Sequence, residues 1–329
     1  MAAVRRAVRS ALDRIPDSEG GVVLVACSGG ADSLALLAAA VFEARRLALR
    51  VIGVTVDHGL QDGSAAHADH VVAQMAGLGA DETVAVRVRV DPAGLGLEAA
   101  AREARYSVLE EVAQRTQASV VLLGHTRDDQ AETVLLGLTR GSGGRAIAGM
   151  RAAYDVFRRP LLEVTRSQTE RACRAEGIVY WEDPHNQDPR FTRSRIRHVV
   201  MPTLEAELGS GVAETLARTA EQLQEDVAAL DAIAAAAHHT VRGPDGLLVD
   251  GLLELQTAVR RRVIRLAAVE AGAPSGELFR VHVVAVDELV TAYRGQRWVD
   301  LPGHLRATRE GALLRFRPTD EAASGAVGG

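Results

Sequence analysis

Residues 22–33 read VVLVACSGGADS, and the rest of the chain falls into place around them. Val22, Val23, Leu24 and Val25 form a continuous apolar run rich in β-branched side chains, the pattern of a strand buried on both faces. Ser-Gly-Gly follows at once, and residues 32–46 then have helical character. A buried strand that turns through glycines into a helix makes a cradle for an anion. Gly29 and Gly30 reach backbone angles closed to other residues and leave bare main chain beside a ligand. Ser28 and Ser33 add hydroxyl donors, and the first amides of the helix point outward at its positive end. Pyrophosphate is the expected occupant. A Gly-Gly pair alone serves equally for turn geometry, but Ser-Gly-Gly-x-Asp-Ser behind a buried strand is a sharper signal.

Outward from this turn, strands and helices alternate, which predicts an α/β fold with a doubly wound parallel sheet. Strands are expected at 22–26, 51–56, 83–90 and 120–123, with further ones at 157–162 and 178–182. Helices are expected at 2–14, 32–46, 65–78, 97–117 and 166–176. Ligands of such sheets bind beyond the carboxyl ends of the strands. Ser28, Asp32 and Ser33 follow the first strand, Asp57 and His58 the second, and His125, Asp128 and Asp129 the fourth. Past 201 the pattern becomes mainly helical, with 209–211 the expected hinge. Two short strand regions, 247–250 and a hairpin at 297–316, make the second part a smaller, mostly helical α+β domain. The expected domains are 1–208 and 209–318, with 319–329 a disordered tail.

The 329 residues exceed what one core usually serves, roughly 250 to 300 residues, which agrees with two domains. No apolar run approaches the roughly 18 to 20 residues that span a bilayer, and no signal peptide is evident, so a cytoplasmic protein is expected. The two cysteines, Cys27 and Cys173, form neither a C-x-x-C pair nor a metal-ligand spacing. There is no lysine, so all 38 basic residues are arginine. A Walker-type phosphate loop, Schiff-base chemistry and a lysyl-adenylate are thereby excluded. The net charge of −5 weighs weakly against a nucleic-acid partner, but a polyanion responds to the local field. Arg140, Arg145, Arg151, Arg158 and Arg159 form one basic stretch. Arg190, Arg193, Arg195, Arg197 and His198 form a second, and Arg260, Arg261, Arg262 and Arg265 a third. Solvated faces account for them equally well.

Two acidic stretches add chemistry. Asp57 and His58 close the second strand, where a carboxylate and an imidazole suit a ribose, a metal or a proton. In GHTRDDQAET, residues 124–133, the fourth strand breaks into a helix, and helix capping explains one acid of Asp128, Asp129 and Glu132. Asp129 and Glu132 share a helical face and together suit a cation, either a metal or an ammonium group.

With these residues in view, the chain resembles the tRNA(Ile)-lysidine synthetases of the N-type ATP pyrophosphatase (PP-loop) superfamily. The resemblance rests on SGGADS at 28–33, VDHGL at 56–60, GHTRDDQAET at 124–133 and RGSGGRAIAGM at 140–150. WEDPHNQDPRFTRSRIRH at 181–198 resembles the segment closing the catalytic domain, with Ser194 where Asn is commoner. The resemblance implies that ATP adenylates the wobble cytidine of an isoleucine tRNA with a CAU anticodon, and that L-lysine displaces AMP. It implies phosphate contacts at Ser28, Gly29, Gly30, Ala31 and Ser33, with Asp32 orienting or contacting Mg2+. It places His58 at the ATP α-phosphate or the base, Arg105 at a phosphate or a carboxylate, and the lysine at Asp129 and Glu132. Arg140, Arg145, Arg193, Arg197, Arg261 and Arg265 are the expected tRNA contacts. The competing functions are a sulfur-transferring tRNA thiolase, which the missing C-x-x-C disfavours, an amidotransferase-type adenylating enzyme, and a non-catalytic adenine-nucleotide sensor.

Overall fold

A computed structural model of the chain describes residues 1–15, 21–59, 63–88, 97–140 and 143–319. The contacts separate two compact units, the first of residues 1–140 and 146–221, the second of 141–145 and 222 onward. In the first unit, strands β1 (Val22–Ala26), β2 (Arg50–Asp57), β3 (Glu82–Arg87), β4 (Ala118–Leu122), β5 (Ala153–Tyr154) and β6 (Phe157–Arg158) form one sheet in the order β3-β2-β1-β4-β6-β5. All neighbours are parallel except β5 with β6. Helices α1 (Ala2–Leu12), α2 (Ala31–Ala44), α3 (Ser64–Gly77), α4 (Leu97–Thr116) and α5 (Arg127–Arg140) accompany it, the short α6 (Gly144–Ile147) crosses the division between the units, and α7 (Arg166–Ala175) belongs to the first unit again.

The apolar runs are continuous because both faces of the sheet are covered. Alternate residues of each central strand enter opposite cores. Val23, Val25, Val51, Val120 and Leu122 pack with α1, α2 and α7. Val22, Leu24, Ile52, Val54 and Val121 pack with Leu109, Val112 and Phe157. Consecutive strands after β1 run outward on one side, and β4 returns to its other side. The order therefore reverses at β1, and the carboxyl ends of β1 and β4 lie side by side.

Two expected strands differ. The run at 157–162 is only the two-residue β6, since Pro160 opens a 3-10 turn over Pro160–Glu163 and has no N–H for a ladder. Residues 178–182 form no strand. They are fixed by isolated bonds instead, Gln74 Nε2 donating to the Val179 carbonyl at 2.6 Å and the Trp181 N–H to the Gly29 carbonyl at 2.9 Å.

Beyond α7, helix α8 (Thr192–Arg195), a π turn (Ile196–Val200) and α9 (Met201–Leu208) run on continuously. Pro202 has no N–H to give His198 four residues back, and the wide turn falls just before it. Gly209 and Gly211, both at positive φ, separate α9 from α10 (Val212–Val241). The division between units falls inside α10, past this turn.

The second unit holds strands β7 (Arg242–Gly243), β8 (Gly246–Leu248), β9 (Val299–Leu301), β10 (Leu305–Glu310) and β11 (Leu313–Pro318), in the order β7-β8-β11-β10-β9. The pairs are antiparallel. Helices α11 (Val249–Glu254), α12 (Thr257–Glu270) and α13 (Arg280–Thr291) pack on one face of this sheet through Val263, Ile264, Val286, Leu289, Leu305, Ala307 and Leu314. The expected hairpin is thus part of a larger sheet. The tail at 320–329 lies outside the described residues.

Candidate active site

The turn after β1 is closed from within. Gly29 takes φ +82, open to glycine at little cost, and Gly30 stands at the start of α2. The Ser28 N–H donates to Ser33 Oγ at 3.2 Å, and Ser33 Oγ donates to the Gly30 carbonyl at 3.0 Å. The Ser33 hydroxyl thus braces the turn. The N–H groups of Gly29, Gly30 and Ala31 meet no acceptor among the described residues, the arrangement an anion requires. Gly124, just past β4, lets the two strand ends close up, since a Cβ there would lie 3.2 Å from the Ser33 N.

Asp32, on the first turn of α2, receives the Thr169 hydroxyl and lies 3.9 Å from Arg166 Nε. Burial pushes its carboxyl up to about 6, against the pull of the Thr169 bond. At the end of β2, Asp57 accepts the Gly59 N–H at 2.8 Å and faces Arg87 at 3.5 Å. Burial opposes its ionisation, but the Gly59 bond and neighbouring donors hold it below the usual carboxylate range. His58 Nδ1 is buried without a partner. Burial, and then the charge of Arg105, lower the His58 pKa.

Arg105 is half-buried on α4, with the Tyr106 ring beside it, 5.7 Å to the centroid. Burial lowers its pKa as well. His125, singled out in the sequence after the fourth strand, and Arg159, of the first basic stretch, join this group. Arg159 Nε donates to His125 Nδ1 at 3.3 Å and Arg159 Nη2 to the Tyr106 hydroxyl at 3.1 Å. Burial, then Arg159 and Arg105, drive His125 to its neutral form despite the opposing charge of Asp129. The result is a cluster of two arginines, Arg105 and Arg159, and two imidazoles whose protonation burial opposes, and it includes two of the expected residues, His58 and Arg105.

The acids of α5 have a different environment from the one their spacing suggests. Asp128 accepts the Arg166 N–H at 2.8 Å, the first amide of α7, whose N-cap is Thr165. Asp129 Oδ2 accepts the Thr126 N–H and hydroxyl, both at 2.8 Å, as part of the cap of its own helix. Asp129 Oδ1 takes Arg166 Nη2 at 3.0 Å and Arg197 Nη2 at 3.3 Å. Glu132, with 2% of its side chain exposed, accepts Arg166 Nη2 at 3.2 Å, Arg193 Nε at 3.0 Å, and Arg197 Nε and Nη2 at 2.8 and 3.0 Å. The two carboxylates do share a face and bind cations, but the cations are three guanidiniums of this chain. Asp129 is held down to about 2 by Arg166 and Arg193 in spite of burial.

Most of the arginines expected to contact tRNA are engaged within the chain. Arg193 and Arg197 do lie on one helix face, and it is turned to Glu132. Arg145 pairs with Asp231 at 2.5 Å. Arg261 is bound to Asp287 at 2.8 Å, and Arg265 donates to the carbonyls of Leu278 and Ser275. These are internal ties. The side chain of Arg140 and residues 141–142 lie outside the described residues. Gln130 also had no assigned role. Its amide bonds both the Met150 N–H and carbonyl, at 2.7 and 3.0 Å, fixing the end of the glycine-rich segment to α5.

Comparison with known proteins agrees with this geometry. Residues 4–204 match the family model described as a PP-loop domain, and residues 247–317 match the one described as the TilS substrate binding domain. The first unit is therefore a PP-loop ATP-binding domain. Over 310 residues the chain is 54% identical to a tRNA(Ile)-lysidine synthase of Thermobifida fusca, covering 94% of this chain and 95% of that relative. It is 51% identical to the synthase of Streptomyces coelicolor over 315 residues, covering 93% and 89%. The U34-tRNA thiolase NcsA of Methanococcus maripaludis, solved with its [4Fe-4S] cluster, shares the fold at a TM-score of 0.57 and 19% identity, over 68% of this chain and 78% of that one. The chain belongs to the tRNA(Ile)-lysidine synthase family.

Proposed function

We propose that the chain joins L-lysine to the wobble cytidine of an isoleucine tRNA with a CAU anticodon, at the expense of ATP. The cytidine carbonyl oxygen bonds to the α-phosphorus of ATP, and pyrophosphate leaves. The lysine ε-amine, as the free base, then attacks the activated ring carbon and sheds its proton, and AMP departs with the former carbonyl oxygen. The observation that carries this reading is the turn at 28–31, with its outward amides and glycine conformation, at the strand end where β1 and β4 meet.

Pyrophosphate rests on the amides of Gly29, Gly30 and Ala31, with the Ser28 hydroxyl beside them and Ser33 bracing the turn. His58 and Arg105 face the α-phosphate, since a cation with no acid and a buried imidazole nitrogen with no partner among the described residues both gain from an incoming anion. Asp32 suits Mg2+, which takes one or two carboxylates together with substrate phosphates. Its carboxyl is raised to about 6 by burial, so a nearby cation relieves it. When bound, the ion neutralises phosphate charge. Asp129 and Glu132 receive the lysine ammonium, and this requires the ammonium to displace a guanidinium from the cluster around Glu132. Residues 1–208 carry the chemistry and 209–318 contact tRNA, and the reaction belongs in the cytoplasm. No helix among the described residues is long and apolar enough to cross a membrane.

For tRNA contact in the second unit, the surface of Arg294, Arg297 and Trp298 replaces Arg261 and Arg265. Arg294 and Arg297 are exposed and pair with no acid among the described residues, and the Arg306 guanidinium lies 4.3 Å from the centre of the Trp298 ring. Exposed aromatic and arginine planes are what unpaired bases stack on. Cys27 and Cys173 are both buried, and burial pushes their thiols up to about 12 and about 11, which disfavours the sulfur-transfer alternative. The deciding assay incubates purified protein with ATP, lysine and tRNA transcripts differing only at the wobble base. AMP and pyrophosphate should appear only with cytidine there, and turnover without tRNA would overturn the proposal.

A further inference from the structure

The outward set of the phosphate turn is maintained by two groups outside it. The Ser28 carbonyl is bonded to His67 Nε2 at 3.0 Å, and the Gly29 carbonyl accepts the Trp181 N–H at 2.9 Å. A carbonyl oxygen only accepts, so His67 Nε2 carries the proton. In a trans peptide the C=O and the N–H of the next residue point in opposite directions. Fixing the carbonyls of 28 and 29 therefore aims the N–H groups of Gly29 and Gly30 to the opposite side, and these amides lack acceptors among the described residues.

The two supports also brace each other, with the His67 and Trp181 ring centroids 4.0 Å apart and the planes at 42°. The packing is close. A Cβ at position 29 would lie 2.7 Å from Val71 Cγ2 and 3.0 Å from His67 Cε1. We infer that His67, on α3 and backed by Trp181, is a positioning residue that presets the Gly29 and Gly30 amides for the ATP phosphates. The role is exerted through the Ser28 carbonyl and not on the substrate itself. Its effect is to remove the alternative in which the Ser28–Gly29 peptide rotates and presents a carbonyl oxygen to a polyanion. Preset donors give up little orientational freedom when the anion arrives.

The inference rests on the phosphate reading of the turn, and the experiment separates the two. His67→Gln keeps an N–H donor at nearly the reach of Nε2, whereas His67→Met fills similar space with none. In steady-state pyrophosphate release at saturating lysine and tRNA, His67→Met should raise the KM for ATP about tenfold, the worth of one hydrogen bond to the turn. The KM for lysine should stay within twofold, and His67→Gln should recover ATP binding to within about threefold of the parent. Calorimetry with a non-hydrolysable ATP analogue gives the second readout. Parent and His67→Met binding the analogue equally would overturn the role of His67 while leaving the phosphate reading standing. Matching rises in the KM for ATP and lysine, or no recovery with Gln, would also overturn it, as general disturbance. Analogue binding that survives Gly29→Ala undiminished would instead overturn the phosphate reading itself.

Discussion

Replacing Glu132 by Gln tests whether the acidic pair is chiefly a tie or a recognition element. The side chain is 2% exposed and accepts four guanidinium bonds of 2.8 to 3.2 Å from Arg166, Arg193 and Arg197. Glutamine keeps the shape but turns an NH2 group toward those donors and leaves three cations to Asp129. Breaking a buried pair from one side costs about 3 to 5 kcal/mol. The guanidiniums keep 21 to 30% of their side-chain surface, so water meets part of the deficit and the lower end, about 3 kcal/mol, is expected. At roughly 2 to 4 °C per kcal/mol for a unit of this size, the melting temperature should fall by about 6 to 12 °C. Calorimetric melts in low and high salt would measure it, and the loss should change little with salt because the carboxylate is buried. A fall under about 2 °C would refute the reasoning, since the arginines would then not depend on Glu132 in solution.

Asp129→Asn should raise the lysine requirement about tenfold and the ATP requirement less than twofold, and an unchanged lysine dependence in the same assay would leave Asp129 as a helix cap alone. Asp32 has a folded-state pKa raised by burial to about 6, so the native state binds its proton more tightly than the unfolded chain. Its contribution to stability is therefore present at acid pH and lost as pH rises from about 4 through 6. Asp32→Asn should flatten that fall, melt no lower than the parent at pH 7.5, and release no pyrophosphate. Gly29→Ala places a Cβ at φ +82 and 2.7 Å from Val71 Cγ2, so ATP binding should fall more than tenfold by calorimetry. Arg294→Glu with Arg297→Glu should weaken tRNA in filter binding and lower the salt slope by about 0.7 to 0.9 per lost phosphate contact, while ATP-analogue binding is unchanged.

The central sheet was legible because a strand covered on both faces writes itself as an unbroken apolar run, and Val22 to Val25 and Val120 to Leu123 do so. The same signal misled at 178–182, where Ile178, Val179, Tyr180 and Trp181 form an apolar run fastened by isolated bonds to α3 and the phosphate turn. Pairing across long sequence distances was invisible. Spacing put Arg193 and Arg197 on one face, but no local pattern announces that Glu132, more than sixty residues earlier, lies beneath that face. Arg261 likewise has its acid, Asp287, on the next helix. Of the candidate site, the glycine turn was readable by its position after a strand, while His58 and Arg105 were singled out by position or family likeness. His67 and Arg166 are ordinary helix residues by sequence, and only folding brings them to the turn and the acids.

The bond from the Trp181 N–H to the Gly29 carbonyl bears on the order in which the protein is made. A growing chain that has emerged through β4 already holds every residue of the turn and both flanking strands. It lacks Thr169, whose hydroxyl meets Asp32, and the backbone at 181 that secures Gly29. Contacts this far apart in sequence form late, because the intervening chain must be closed first. During synthesis, which runs from the N-terminus, the nucleotide site is thus encoded early and completed only after residue 181 has cleared the ribosome. Nascent chains stalled short of that point should hold ATP more weakly than the full chain.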